Sequence, residues 1–398
     1  MIRDRSIAAL VAGQFVSSLG SQMTWLALPW FVLVTTGSAS RMGVVFAVEV
    51  LPIALFGVVS GGVVQRYGAR STMLVADLVA APLIALVPLL HALGKLSFGL
   101  LLVIVFAIGS FSTPYFSSTR LILPEIVGED ERTVAQANSV MEATTQLSGF
   151  AGPALAGVLI GVMGATNVLW LDAGSYLVSF LLLALFVQRR AAAPPVEDAE
   201  RGVLAGIRFI LRDRLLRVIL GVSFVFGIFI PFLFAALPVL AYERYGGHAE
   251  IAGWLFAAWG GGSVAGSVVA YRAAGRIAPL SLAAIASVGC VLPLWALVFS
   301  MPAVFVVLAI ALSSFFVPAI NAPVLGLFTL RSPPALRGKV MTGLVTANGL
   351  ARPLSYAVSG WLLHLAGITG VFLVVAVGIT AAVTVFVFAL TRPAARMP

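Results

Sequence analysis

Gly61-Gly62-Val63-Val64-Gln65-Arg66-Tyr67-Gly68-Ala69-Arg70 is a short polar break between two long apolar runs. Met42 to Val64 holds a single charged residue, Glu49, and Ser71 to Leu90 holds a single one, Asp77. Each run reaches the ~20 residues that an α-helix needs to cross a bilayer. The break between them is therefore expected to be a tight turn at a membrane interface. Gly68 admits backbone angles that a side chain forbids, and Arg66 and Arg70 sit where cytoplasmic loops concentrate positive charge.

The rest of the chain extends this pattern. Of 398 residues, 61% are hydrophobic and 10% charged, against roughly 25% charged in a soluble domain, so there are too few charges to cover a water-facing surface. The sequence predicts an all-α integral membrane protein of twelve transmembrane helices. Their starts fall near Ala8, Met42, Thr72, Phe98, Thr133, Thr166, Arg217, Ile251, Ile277, Ala303, Lys339 and Thr369. Met1-Ile2-Arg3-Asp4-Arg5 is too short for a cleaved signal peptide, and the first span is expected to be a retained signal anchor. With both termini cytoplasmic, every Lys and Arg except Arg41, Lys95, Arg244 and the mid-span Arg352 falls inside, as the positive-inside rule requires. The net charge of +9 thus reports topology, a nucleic-acid partner is not expected, and the expected location is the cell membrane of a prokaryote. Cys290 is the only cysteine, which leaves no intramolecular disulfide and no Cys-based metal site.

The longest polar interruption divides the chain into an N-terminal six-helix half (1-188), a cytoplasmic linker (189-216) and a C-terminal six-helix half (217-398). Within the linker Val203, Leu204, Ile207, Ile210 and Leu211 recur at helical spacing opposite Arg201, Arg208 and Arg212. This reads as an amphipathic helix on the cytoplasmic membrane surface, or as a solvated linker. The halves show a repeat. Ala156-Gly157-Val158-Leu159 followed by Gly164 lines up with Ser359-Gly360-Trp361-Leu362 followed by Gly367, and Gly43, Phe46 and Arg66 line up with Gly253, Phe256 and Arg276.

The Gly61–Arg70 turn resembles the loop signature of the major facilitator superfamily between its second and third helices. Gln65 stands at that pattern's Asp position and Ala69 at its first basic one. Ser148-Gly149-Phe150-Ala151-Gly152-Pro153-Ala154-Leu155-Ala156-Gly157 is similar to the antiporter motif of the family's exporters, with Ser148 and Ala156 in place of two glycines; ordinary tight packing is the alternative. Gly13-Gln14, Leu28-Pro29, Thr36-Gly37-Ser38, Leu51-Pro52 and Pro124-Glu125 extend the likeness to bacterial drug and siderophore exporters. The resemblance implies two six-helix halves about a central cavity, alternating access and proton antiport.

Ionisable residues inside spans carry the mechanistic expectation, since each costs ~2.5–3.5 kcal/mol at a bilayer centre unless paired or hydrated. Glu49 is the leading proton-coupling candidate, with Arg352 as an alternating partner and a fixed Glu49–Arg352 clamp as the alternative. Asp77 and Arg120 are expected to form a structural ion pair, and Asp172 to serve structurally near an outer helix end, where it can snorkel outward. Arg66 is expected to hold a gate by bonding helix ends or Asp77, with Arg70 in the same charge network. Glu142, the second coupling candidate, shares a stripe with Asn138 and Gln146 that either lines an aqueous path or bonds a neighbouring helix.

Gln14, Ser18, Ser21 or Gln22, and Trp25 form a stripe on helix 1 expected to face the cavity, and Phe229, Trp259 and Asn348 are cavity candidates from the second half. The aromatic content of helices 7 and 8 favours an apolar or amphiphilic substrate. His91, His248 and His364 fall at span ends. No His-Glu-x-x-His and no nucleotide-binding Gly-Lys-Ser/Thr loop is present, so neither an enzyme nor an ATP-driven pump is indicated, and no metal or cofactor is expected. The reading is a monomeric secondary transporter that exports small hydrophobic compounds in exchange for protons. A transporter-like sensor and a lipid translocase are the alternatives.

Overall fold

The computed structural model describes residues 5–127, 131–187, 199–333 and 336–391. Among them there is no strand, and the elements in order are α1 (Arg5–Thr36), α2 (Ala39–Tyr67), α3 (Ala69–Ala92), α4 (Phe98–Val127), α5 (Glu131–Met163), α6 (Ala165–Phe186), α7 (Ala199–Arg212), α8 (Arg214–Arg244), α9 (Ala249–Ala274), α10 (Pro279–Ala296), α11 (Ala303–Phe315), α12 (Val317–Arg331) and α13 (Arg337–Thr391). None of the helix starts expected from the sequence is more than three residues from an observed start or break. Nine stretches of the described residues are long and apolar enough to cross a membrane. One of them, Lys339–Leu390, runs for 52 residues, more than twice the length a span needs. It lies in α13, which bends at Gly367 (φ 64°).

Glycine sets these turns. Gly68 at φ 82° joins α2 to α3, and Gly164 at φ 85° joins α5 to α6. Gly164 and Gly367, paired in the sequence repeat, both occupy the left-handed region that a side chain disfavours. Large apolar side chains such as Val162, Leu185, Leu308, Leu354 and Phe388 point outward and are exposed. On a water-soluble protein such a surface drives aggregation; here it matches the acyl chains of a bilayer.

The chain folds as two compact units, Met1–Gly37 with Val45–Glu197, and Ser38–Val44 with Asp198–Pro398. In the first, Leu10, Met73, Ile122, Leu123 and Leu183 form a closed core. In the second, Ile210, Leu216, Phe328, Val340, Leu344 and Phe386 do the same. Also in the second, Gly43 packs on Gly360 so closely that a methyl group at Gly43 would come within 2.6 Å of the Gly360 Cα.

The amphipathic helix of the linker is present as α7, but its surroundings correct the expectation that its apolar face lies on the membrane surface. Gly206 presses against the Lys339 carbonyl, Ile207 lies on Gly343, and Ile210 is buried in the second core. A helix, not lipid, covers this part of the face, and Gly206 and Gly343 allow it because neither carries a side chain at the crossing. The side chains of Val203 and Leu204 lie outside the described residues.

Candidate functional site

In the first unit, the polar groups that gather around two buried acids come from α1, α3, α4 and α6. On α6, Asp172, Ser175 and Ser179 recur at helical spacing on one face, and all three are buried. Small residues on α1 let that face approach, and a side chain at Gly20 would collide with Ser175 and Asp172. The Asp172 carboxylate accepts hydrogen bonds from Thr24 of α1 at 2.5 Å and from Ser175 at 3.0 Å. One turn along α6, Ser179 donates to Asp77 of α3 at 2.7 Å, and the other Asp77 oxygen is buried with no partner among the described residues. Tyr176 and Ser21 share a hydrogen bond of 3.0 Å. The Tyr115 hydroxyl of α4 sits beside Ser17 and Ser179 without a hydrogen bond of good geometry.

These contacts revise the expectation for Asp172, and the expected Asp77–Arg120 pair involves a side chain outside the described residues. Asp172 does not snorkel outward: it is 1% exposed and held by two hydroxyls, because the face of α6 that carries it is turned into the bundle. Asp77 is bonded to Ser179. The sequence reading singled out both acids but missed Ser17, Thr24, Tyr115, Ser175, Tyr176 and Ser179. The run Asp172-Ala-Gly-Ser175-Tyr176-Leu-Val-Ser179 was the available signal, since its polar positions return to one helical face.

The expected stripe on α1 divides among three neighbours. Ser21 turns to α6, as does Thr24 outside the stripe, Gln22 packs against α5, and Trp25 meets Phe46 of α2 edge-on at 5.6 Å. Gln14 is buried with its carbonyl oxygen unpartnered among the described residues, and Ser18 is half-buried. A helix enclosed on several sides cannot commit one stripe to one opening. The glycine-rich run of α5 makes the Gln22 contact possible, since a methyl group at Gly152 would fall 2.5 Å from the Gln22 Cβ and 3.3 Å from the Leu19 carbonyl.

Further along α5, Asn138, Glu142 and Gln146 are all exposed on one face. On the opposite face of α5, Val140, Thr144 and Leu147 join Ile7, Val11 and Phe15 of α1 and Leu123 of α4 to line a cavity of about 330 Å³, whose one polar lining residue is Thr144. Glu49 of α2 is half-buried. One of its carboxylate oxygens is buried without a hydrogen bond among the described residues, and its backbone carbonyl lies against Gly109 of α4.

Arg66 is exposed, with its guanidinium 5.5 Å from the Tyr67 ring centre. The helix-end bonding expected of it belongs instead to Arg70, which donates to the carbonyls of Val187 at 2.5 Å, Ala184 at 2.9 Å and Leu183 at 3.4 Å. Arg66 falls in the last turn of α2, before the Gly68 reversal, whereas Arg70 opens α3 on the side facing α6.

In the second unit, Phe234 stacks on Phe256 at 5.6 Å and meets Trp259 edge-on at 5.2 Å. Phe229 packs on Phe232 and over Gly378. Asn348 lies beside Gly227 with its side-chain oxygen buried and unpartnered among the described residues. Arg352 is exposed in the same helix. Glu49 and Arg352 belong to different units. Among the described residues no group of three or more His, Cys, Asp or Glu side chains can hold a metal ion.

Membrane-spanning helices in two compact units, with acids buried among hydroxyls and a polar stripe facing open space, define a polytopic transporter rather than an enzyme. Residues 2–325 match the family model described as Transmembrane secretion effector, and the chain belongs to that family of major facilitator transporters. It is 29% identical over 382 residues to the multidrug efflux pump Tap of Mycolicibacterium fortuitum, covering 92% of this chain and 90% of the relative. It is 27% identical over 194 residues to the staphyloferrin A transporter of Staphylococcus aureus, covering 48% and 47%. The crystal structure of the nucleoside transporter NupG shares the fold at a TM-score of 0.78 and 14% identity, over 97% of this chain and 99% of that one. The resemblance drawn from the Gly61–Arg70 turn is thereby confirmed at the level of family and fold.

Proposed function

We propose that this protein exports hydrophobic or amphiphilic small molecules across the cell membrane in exchange for protons, by alternating access. The observation that carries the reading is α5, which turns the exposed stripe Asn138, Glu142 and Gln146 to one side and lines an apolar cavity of about 330 Å³ with its opposite face. A carboxylate exposed to lipid within a span is strongly disfavoured, so this face is suited to water. The hollow on the other face has an apolar lining that suits a hydrophobic compound, and it falls in the size range of small-molecule sites. The names of the Tap and staphyloferrin A relatives support the same direction.

Glu49 is the first candidate for the coupling carboxylate, because a buried oxygen without a partner favours the neutral acid. Glu142 is the second. The test is flux in proteoliposomes. Wild type should accumulate a hydrophobic dye against its gradient when a pH gradient is imposed, and Glu49→Gln should abolish that accumulation while still exchanging dye down its gradient. Absence of pH-driven flux in wild type refutes antiport. Full uphill transport by Glu49→Gln moves the coupling role to Glu142.

A further inference from the structure

The polar interior of the first unit is more than packing. Two carboxyls, Asp77 of α3 at 0% and Asp172 of α6 at 1% exposure, bond to hydroxyls one turn apart on α6, the first to Ser179 and the second to Ser175. The charged and titratable groups described around them are few. From α3 comes Asp77, from α4 Tyr115, and from α6 Asp172 and Tyr176, while α1 offers only Gln14, Ser17, Ser21 and Thr24. The nearest described cation along α3, Arg70, is two turns away from Asp77 and bonded to the end of α6. Among the described side chains, which do not include that of Arg120 on α4, the surroundings provide hydroxyl donors and no positive charge.

Such an arrangement is costly for two carboxylates and inexpensive for two carboxylic acids. A buried anion requires a cation or several strong donors, whereas a protonated carboxyl needs only one acceptor for its hydrogen and one donor to its carbonyl. Hydroxyls supply both, since each donates one hydrogen bond and accepts others. The unpartnered Asp77 oxygen marks where a carboxyl hydrogen can sit, and the Tyr115 hydroxyl, short of a partner, is nearby. If the pair served only to tie helices together, uncharged Asn or Gln would do so without this penalty.

We propose that Asp77, bonded to Ser179, and Asp172, bonded to Thr24 and Ser175, form a proton-holding site inside the first unit, separate from Glu49. Each carboxylate takes up one proton from water when hydrated and becomes a neutral acid when enclosed; release returns the same proton. The inference deepens the antiport reading by naming a second place where the exchanged proton resides.

Infrared spectroscopy tests the site without reference to transport. Wild-type protein in lipid vesicles at neutral pH should show protonated-carboxyl bands, and 13C labelling of aspartate should shift them, an assignment that needs no mutation. Asp77→Asn and Asp172→Asn should each remove one component, and Thr24→Val should shift the Asp172 component alone. No protonated band, or a band unmoved by aspartate labelling, overturns the proposal. In the flux assay both Asn variants should lose pH-driven accumulation. Full accumulation by both overturns the coupling role of this pair. Failure of pH-driven flux in wild type strikes the antiport reading instead and leaves the infrared result to decide the site.

Discussion

Replacing Arg70 by Ala separates the roles of the two arginines in the α2–α3 turn. Its guanidinium donates to three carbonyls at the end of α6, at 2.5, 2.9 and 3.4 Å. A hydrogen bond to a charged group contributes about 1.5–3 kcal/mol when buried. The longest of the three is weak, and Arg70 is only half-buried, so solvent screening brings the sum down to about 2 kcal/mol. Arg66 is exposed, and its one described contact is the stack on Tyr67, worth about 0.5 kcal/mol. Arg70→Ala should therefore lower the thermal midpoint of the purified protein by about 4–8 °C and Arg66→Ala by no more than about 2 °C. Arg70→Lys should recover only part of the loss, because an ammonium cannot fork across three carbonyls. Monodispersity after heating, in a single detergent, measures all three. Equal midpoints for Arg70→Ala and Arg66→Ala would refute the assignment.

Two other variants probe the frame around the site. Asp213 caps α8 through Leu215 and Leu216 at 2.8 and 3.0 Å and meets Arg331 at 3.4 Å. Asp213→Ala should cost about 1 kcal/mol and Asp213→Asn only a few tenths, since Asn caps as well as Asp and the partly exposed ion pair contributes little; the two midpoints, compared in one detergent, decide. Gly152→Leu should push α5 off α1 at Gln22, costing about 1–3 kcal/mol through overpacking, while Gly174→Leu, where an added Cβ meets nothing within 4 Å, should be near neutral. Equal heat resistance of these two would remove the packing account.

The spans and their turns could be read from the sequence because they depend on local facts: long runs without charge, and glycine where the backbone must reverse. Gly68, Gly164 and Gly367 do what their positions imply. The site was less legible because its geometry is set by partners far along the chain. Asp172 looked like an acid near a helix end, and nothing local says that Thr24, 148 residues earlier, donates to it. Arg66 and Arg70 are equally basic and four residues apart, yet the reversal at Gly68 leaves only the second facing α6. Periodicity located α7 but not its neighbour, because any apolar cover satisfies an apolar face, and a glycine crossing such as Gly206 on Lys339 has no signature in the pattern of side chains.

The contacts of Arg70 also bear on the order in which the protein is made. Its carbonyl partners lie 113 to 117 residues downstream, so when α3 leaves the ribosome the residues that will hold it have not yet been synthesised. A chain arrested before α6 carries a cation at the head of α3 with no helix end to meet, and an α6 that never forms leaves it so. The first unit therefore becomes complete as a biosynthetic product only when its last helix arrives, just before the linker. Quality control that senses exposed charge at the membrane surface would distinguish an unfinished first unit from a finished one at that step.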